Sequence, residues 1–161
     1  GLITSEPQKG KHVRQMTGKE IYDSHVVAGI LEGAGVAESL PLWTEANMET
    51  FRSVVRQMEG KISYATKLDE LAEIDELFHA TLFMACDNTR LVEMARTSCA
   101  TISKYLYYQH WITMFTPREY ADRHHAVAEA VYSRDVKHVE TALRDHYKET
   151  GLRMAQFGKE A

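Results

Sequence analysis

From residue 18 onward the apolar positions recur at the three-then-four spacing of amphipathic helices almost without a break. Residues 18–40 place Ile21, His25, Ala28, Leu31 and Val36 near one face, and Pro41 ends the segment. Gly29, Gly33 and Gly35 lower its intrinsic helicity and mark places where another helix comes close. A second helix is predicted from Thr44, an N-cap ahead of an acidic first turn, through Phe51, Val54, Val55 and Met58. Residues 60–66 form the next break. A third helix covers about residues 67–86, and a fourth follows the Asp87-Asn88 cap through Leu91, Met94, Ala95, Ile102 and Tyr105. Tyr107, Tyr108, His110, Trp111 and Phe115 cluster beyond it and are read first as packing. Thr116, Pro117 and Glu119 have the spacing of a capping box with proline at the first helical position, so a fifth helix runs from there to about Ser133. A sixth covers about residues 135–157. The expected fold is all-α, a single antiparallel bundle of about six to seven helices.

Residues 1–17 break this pattern. Leu2, Ile3 and Thr4 read as a short strand, residues 7–10 as a turn, and His12-Val13 as the returning strand. Lys9, Lys11, Arg14 and Lys19 make this the one basic stretch. A hairpin of this size has no core of its own, so the chain is expected to begin inside a fold whose earlier part lies outside it, with a simple leader as the alternative.

At 161 residues, 44% hydrophobic and 26% charged, the chain is long enough for one well-buried domain. A formal net charge of −4 gives its body no reason to bind nucleic acid or a membrane surface. Cys86 and Cys99 sit within helical patterns and not at loop positions that a secreted scaffold would staple, which points to a reducing cytoplasm. No apolar run is long enough to span a bilayer.

Candidate chemistry concentrates in the third helix. Asp75 and His79 are four residues apart and leave one face a turn apart, enclosed by Leu71, Ile74, Phe78, Leu82 and Phe83. A carboxylate and an imidazole turned inward need either each other or a shared cation. In the fifth helix Tyr120, His124, Val127 and Val131 form an inward stripe that favours His124 over His125, which shares a neighbouring stripe with Ala121 and Ala128. In the sixth, His146 sits within the apolar face of Val136, Val139, Leu143 and Met154. Asp75, His79, His124 and His146 therefore suit one divalent transition metal ion: zinc or nickel first, with manganese and cobalt as alternatives. Four protein ligands leave coordination positions open. The competing reading is a set of individually satisfied core histidines.

The pattern D-x-L-F-H, then A-x-D-N-x-x-L, R-H-H-A-V-x-x-A-V and L-R-D-H-Y, resembles the FCD effector domain of FadR-type GntR regulators, which are bacterial transcription factors. The resemblance covers roughly residues 18–157. The opening G-L-I-T-x-x-P-x-K-G-x-x-V also resembles the wing hairpin that closes the winged-helix DNA-binding domain of those proteins. The resemblance implies that residues 1–17 are a wing remnant and linker and residues 18–161 the helical effector domain. It further implies a homodimer, operator DNA reached through an N-terminal domain outside this chain, and a metal held by Asp75, His79, His124 and His146 that helps bind a small organic acid. Asn88 matches the family's helix-capping Asn. One departure stands out: many members carry an Arg shortly before the L-E of the first helix, where this chain has Val27, Ala28 and Gly29 before Leu31-Glu32.

The leading expectation is a ligand sensor whose metal site receives a carboxylate. Arg96, Thr97, Thr101, Lys104 and Tyr108 of the fourth-helix region are the polar side chains available for the pocket wall. The alternatives are a metal-dependent helical-bundle hydrolase or oxygenase, and a metalloregulator that senses the ion itself. No second carboxylate cluster of the di-iron type and no additional general base favours the enzyme.

Overall fold

The computed structural model describes residues 3–6 and 10–160; the side chains of residues 4–6 and of Thr101 are not among the described groups. Two strands, β1 (Ile3–Glu6) and β2 (Gly10–Val13), pair antiparallel with Ile3 opposite Val13. The predicted hairpin is thus present, although Leu2 and most of its turn lie outside the described residues. Seven α-helices follow among the described residues: α1 (Gly18–Ser39), α2 (Glu45–Ile62), α3 (Ala72–Leu82), α4 (Thr89–Thr101), α5 (Tyr108–Met114), α6 (Pro117–Ser133) and α7 (Val136–Ala155). Capping decides several of the starts. Thr17 with Glu20, Thr44 with Asn47, and Thr116 with Glu119 each close a reciprocal capping box, and the Asn88 side chain accepts from the Leu91 N–H.

Two stretches differ from the periodicity reading. The third helix is shorter than expected: residues 68–71 wind as a tighter 3₁₀ turn before α3, and the chain leaves the helix after Leu82. The fourth does not run smoothly through Tyr105. Ile102–Leu106 form a π-helical turn, in which the Tyr107 N–H bonds the Ile102 carbonyl at 2.9 Å, and the aromatic stretch becomes the separate helix α5. A wide turn of this kind carries one extra residue, which rotates everything after it and re-aims Lys104 and Tyr108.

The main core lies among α2, α3, α6 and α7 and centres on Phe51, Phe78, Val127, Val131 and Leu143. A smaller cluster of Met16, Ile21, Ile102 and Met154 ties the start of α1 to the π turn and the end of α7. The most extensive helix pairing is α1 on α7. It depends on the glycines flagged in the sequence: a Cβ at Gly29 would stand 2.9 Å from Tyr147 Cβ and 3.2 Å from Arg144 Cα, and one at Gly33 would lie 3.4 Å from Glu140 Cα. The close approach brings the buried face of α1 against the helix that carries His146. No helix among the described residues is long and apolar enough to cross a membrane.

Candidate metal and effector site

Asp75 and His79 of α3, His124 of α6 and His146 of α7 converge in the bundle interior. One nitrogen of each of His79, His124 and His146 lies within 4.8 Å of the others. Asp75 Oδ1 stands 3.1 Å from His124 Nε2 and 4.0 Å from His79 Nε2. Donors held about 2.1 Å from one ion lie roughly 3–4 Å apart, so this spacing fits a shared cation.

Each imidazole is oriented from behind. His124 is 2% exposed, and its Nδ1 donates to the Tyr120 carbonyl at 2.8 Å, the i−4 position of its own helix, which leaves Nε2 facing Asp75. His79 Nδ1 bonds Glu32 Oε1 of α1 at 2.6 Å, and Glu32 Oε2 accepts from the Tyr147 hydroxyl of α7 at 2.8 Å. A carboxylate behind an imidazole fixes the tautomer and raises the basicity of the forward nitrogen, the usual support of a metal-ligating histidine. His146 Nδ1 is buried with no hydrogen-bond partner, which a core histidine serving only for packing would not tolerate at low cost. Arg123 bonds the His146 carbonyl at 2.6 Å and Thr150 Oγ1 at 2.7 Å, and its guanidinium rests 4.1 Å from the Phe115 ring centroid, so α6 and α7 are pinned together at the site.

Charge follows from this packing. Burial opposes charge on His79, yet the Glu32 and Asp75 carboxylates outweigh it and push its pKa up to about 9. Burial holds His124 below its ordinary value, with partial compensation from Asp75. Burial, the His124 and His79 imidazoles and the Arg123 charge hold His146 well below its own. Burial alone would raise Asp75, but the His124 hydrogen bond and the nearby imidazoles bring it below the usual carboxylate value.

The cluster opens onto a cavity of about 210 Å³ lined by residues from α1, α3, α4, the π turn, α5 and α7. Of the proposed wall residues, Arg96 and Lys104 reach it, both from its exposed rim. Lys104 Nζ pairs with Glu76 Oε2 at 3.0 Å and also borders a neighbouring hollow of about 240 Å³ in which Tyr108 lies. Thr97 faces a different depression and bonds the Glu93 carbonyl at 2.8 Å, because it sits off the stripe of Arg96 and Cys99. The Thr101 side chain lies outside the described residues. His125 points away from the site, its Nε2 3.1 Å from Glu59 Oε1 at the surface.

The sequence reading missed Glu32, Tyr147 and Arg123 and took His25 only as part of an apolar face. A signal was there for Glu32: it continues the stripe of His25, Gly29 and Val36, and a carboxylate on an inward stripe demands a partner.

Residues 23–149 match the sequence model of the FCD domain. The HTH-type transcriptional repressor RspR of Escherichia coli K12 is 24% identical over 163 aligned positions, which cover 99% of this chain and 69% of that protein. An uncharacterized HTH-type transcriptional regulator, YdfH of Shigella flexneri, matches to the same extent. Among solved structures, a GntR-family transcriptional regulator from Pseudomonas syringae pv. tomato DC3000 superposes with a TM-score of 0.71 at 19% identity, covering 97% of this chain and 64% of that one. E. coli McbR/YncC superposes with a TM-score of 0.77 at 14% identity, covering 98% and 74%. The chain thus spans a little under two thirds of the Pseudomonas protein. RspR, YdfH and the Pseudomonas protein are named as transcriptional regulators, not enzymes, which leaves the hydrolase or oxygenase alternative without support. Matched by that sequence model from α1 into α7 and sharing the fold of a GntR regulator, the chain belongs to the FCD domain family.

Proposed function

We propose that this chain is the ligand-sensing domain of a bacterial transcription regulator and that it binds a small carboxylate beside a divalent transition metal. The observation that carries the reading is the convergence of three imidazoles and Asp75 at the floor of a cavity with Arg96 and Lys104 on its rim. Asp75, His79, His124 and His146 would hold the ion, with zinc or nickel as the first candidates for three nitrogen donors and one oxygen donor. When bound, the ion supplies a Lewis-acidic position for a ligand oxygen. The chain's own residues do the rest: Glu32 and the Tyr120 carbonyl hold the imidazoles in place, while Arg96 and Lys104 attract the anion. Residues 1–17 serve as wing remnant and linker to a winged-helix domain through which operator DNA is reached. A second copy of the chain completes a homodimer, and free Cys86 and Cys99 accord with a cytoplasmic setting.

Thermal unfolding of zinc-loaded and metal-free protein with acetate, lactate, succinate and citrate tests the reading. Effective acids raise the melting temperature of the loaded form, by mass action on the folded state, and leave the metal-free form within a degree or so. Equal stabilisation of both forms would sink the metal-anchored mechanism. A response to metal alone, with no acid effect, would support a sensor of the ion itself.

A further inference from the structure

His25 lies on the α1 side of the cavity, fully buried, and nothing in the proposed metal and carboxylate chemistry uses it. Its Nδ1 is 2.9 Å from the Ile21 carbonyl. A carbonyl only accepts, so Nδ1 carries the hydrogen, and in the neutral ring Nε2 is left with a bare lone pair. Burial holds the pKa of this imidazole below its ordinary value, so the ring is neutral at physiological pH. Nε2 is buried and has no hydrogen-bond partner.

The neighbouring donors on the cavity wall cannot supply one, because each is already committed. The Tyr147 hydroxyl donates to Glu32 at 2.8 Å, the Thr150 hydroxyl to the His146 carbonyl at 3.0 Å, and the Ser103 hydroxyl to the Cys99 carbonyl at 3.2 Å. Nor is the ring free to turn aside. The α7 backbone presses on it at Gly151, where an added Cβ would come within 2.8 Å of His25 Cβ. An acceptor is thus held rigidly against a small-molecule cavity, and an unmatched buried acceptor is retained at a cost unless something in that cavity donates to it.

We propose that the effector is a carboxylate bearing a hydrogen-bond donor, a hydroxyl or an ammonium, and that His25 Nε2 selects for that donor. The inference rests on the carboxylate-sensing reading above. It makes His25 a specificity residue on the first helix, in a chain that has no arginine at residues 27–29.

The test is a two-by-two comparison by calorimetric titration of the zinc-loaded chain. Lactate is set against propanoate, and malate against succinate, in the unchanged protein and in His25→Phe. A hydroxy acid also chelates metal better than its deoxy analogue, but that preference persists in the variant, so the quantity read is the change in preference between the two proteins. The hydroxy-over-deoxy ratio is expected to fall by about 5- to 150-fold in His25→Phe, the factor for 1–3 kcal/mol of an unmatched polar group. L-alanine binding more tightly than lactate would assign the donor as ammonium, and the reverse order as hydroxyl. A ratio unchanged within twofold would overturn the role of His25 while leaving the carboxylate reading intact; failure of every acid to bind the unchanged protein would overturn both. Should the variant misfold, 2-methoxypropanoate on the unchanged protein decides, since it keeps the oxygen but cannot donate. Affinity equal to that of lactate would refute the proposal.

Discussion

Glu32→Gln isolates the link between α1 and the metal ligands. The wild-type carboxylate is 3% exposed and accepts from two groups at once, His79 Nδ1 at 2.6 Å and the Tyr147 hydroxyl at 2.8 Å. Glutamine keeps the shape but has one acceptor and one donor. If its amide N–H₂ faces His79, the imidazole must move its hydrogen to Nε2, the atom that faces Asp75, and cannot ligate through it. If the carbonyl faces His79, the tautomer survives but the ring loses a charged partner, and Tyr147 must accept where it donated. Loss of such a supporting carboxylate lowers metal affinity by about 10- to 100-fold, or roughly 1.4–2.7 kcal/mol at 1.36 per decade. Competition of the purified variant against a chromogenic zinc chelator measures this, with helical circular dichroism as the check on folding. Zinc affinity within twofold of wild type in a folded Glu32→Gln protein would refute the argument that α1 orients His79.

Substitution His124→Ala should lower metal affinity strongly while His125→Ala changes it little, since one nitrogen faces Asp75 and the other faces Glu59 at the surface; equal losses by elemental analysis would contradict this assignment. Gly29→Ala places a methyl 2.9 Å from Tyr147 Cβ and 3.2 Å from Arg144 Cα, and the resulting overpacking should cost about 1–3 kcal/mol in urea unfolding, whereas an unchanged midpoint would mean that α1 and α7 separate freely. The Thr116 N–H and hydroxyl, together with Arg153, hold exposed Glu119 below its usual pKa of 4.5. A depressed carboxylate stabilises fully above its unfolded value and loses that contribution as pH falls through the folded one. Glu119→Gln should accordingly be less stable than wild type near neutrality and converge with it in acid; a gap that persists below the acid transition would show that the charge is not responsible.

The helical class, the three-then-four faces of α2, α6 and α7, the caps at Thr44, Asn88 and Thr116 and the inward direction of Asp75, His79, His124 and His146 were all legible in the sequence. Each rests on interactions among residues within about a turn of one another, and such interactions depend little on what packs alongside. The glycines of α1 were legible as contact points, but not which helix they receive. The π turn at residues 102–106 was hidden because a single extra residue in a helix leaves almost no trace in the hydrophobic period, and it displaced the pocket-wall assignments that followed, Tyr108 among them. Only the tertiary structure decided that Glu32 stands behind His79 across 47 residues of chain, that Tyr147 closes the same carboxylate from α7, and that the lone pair of His25 looks into the cavity. Those pairings join elements far apart in the chain, and their partners are chosen by how α1, α3 and α7 dock, a matter of shape and close approach that no local spacing encodes.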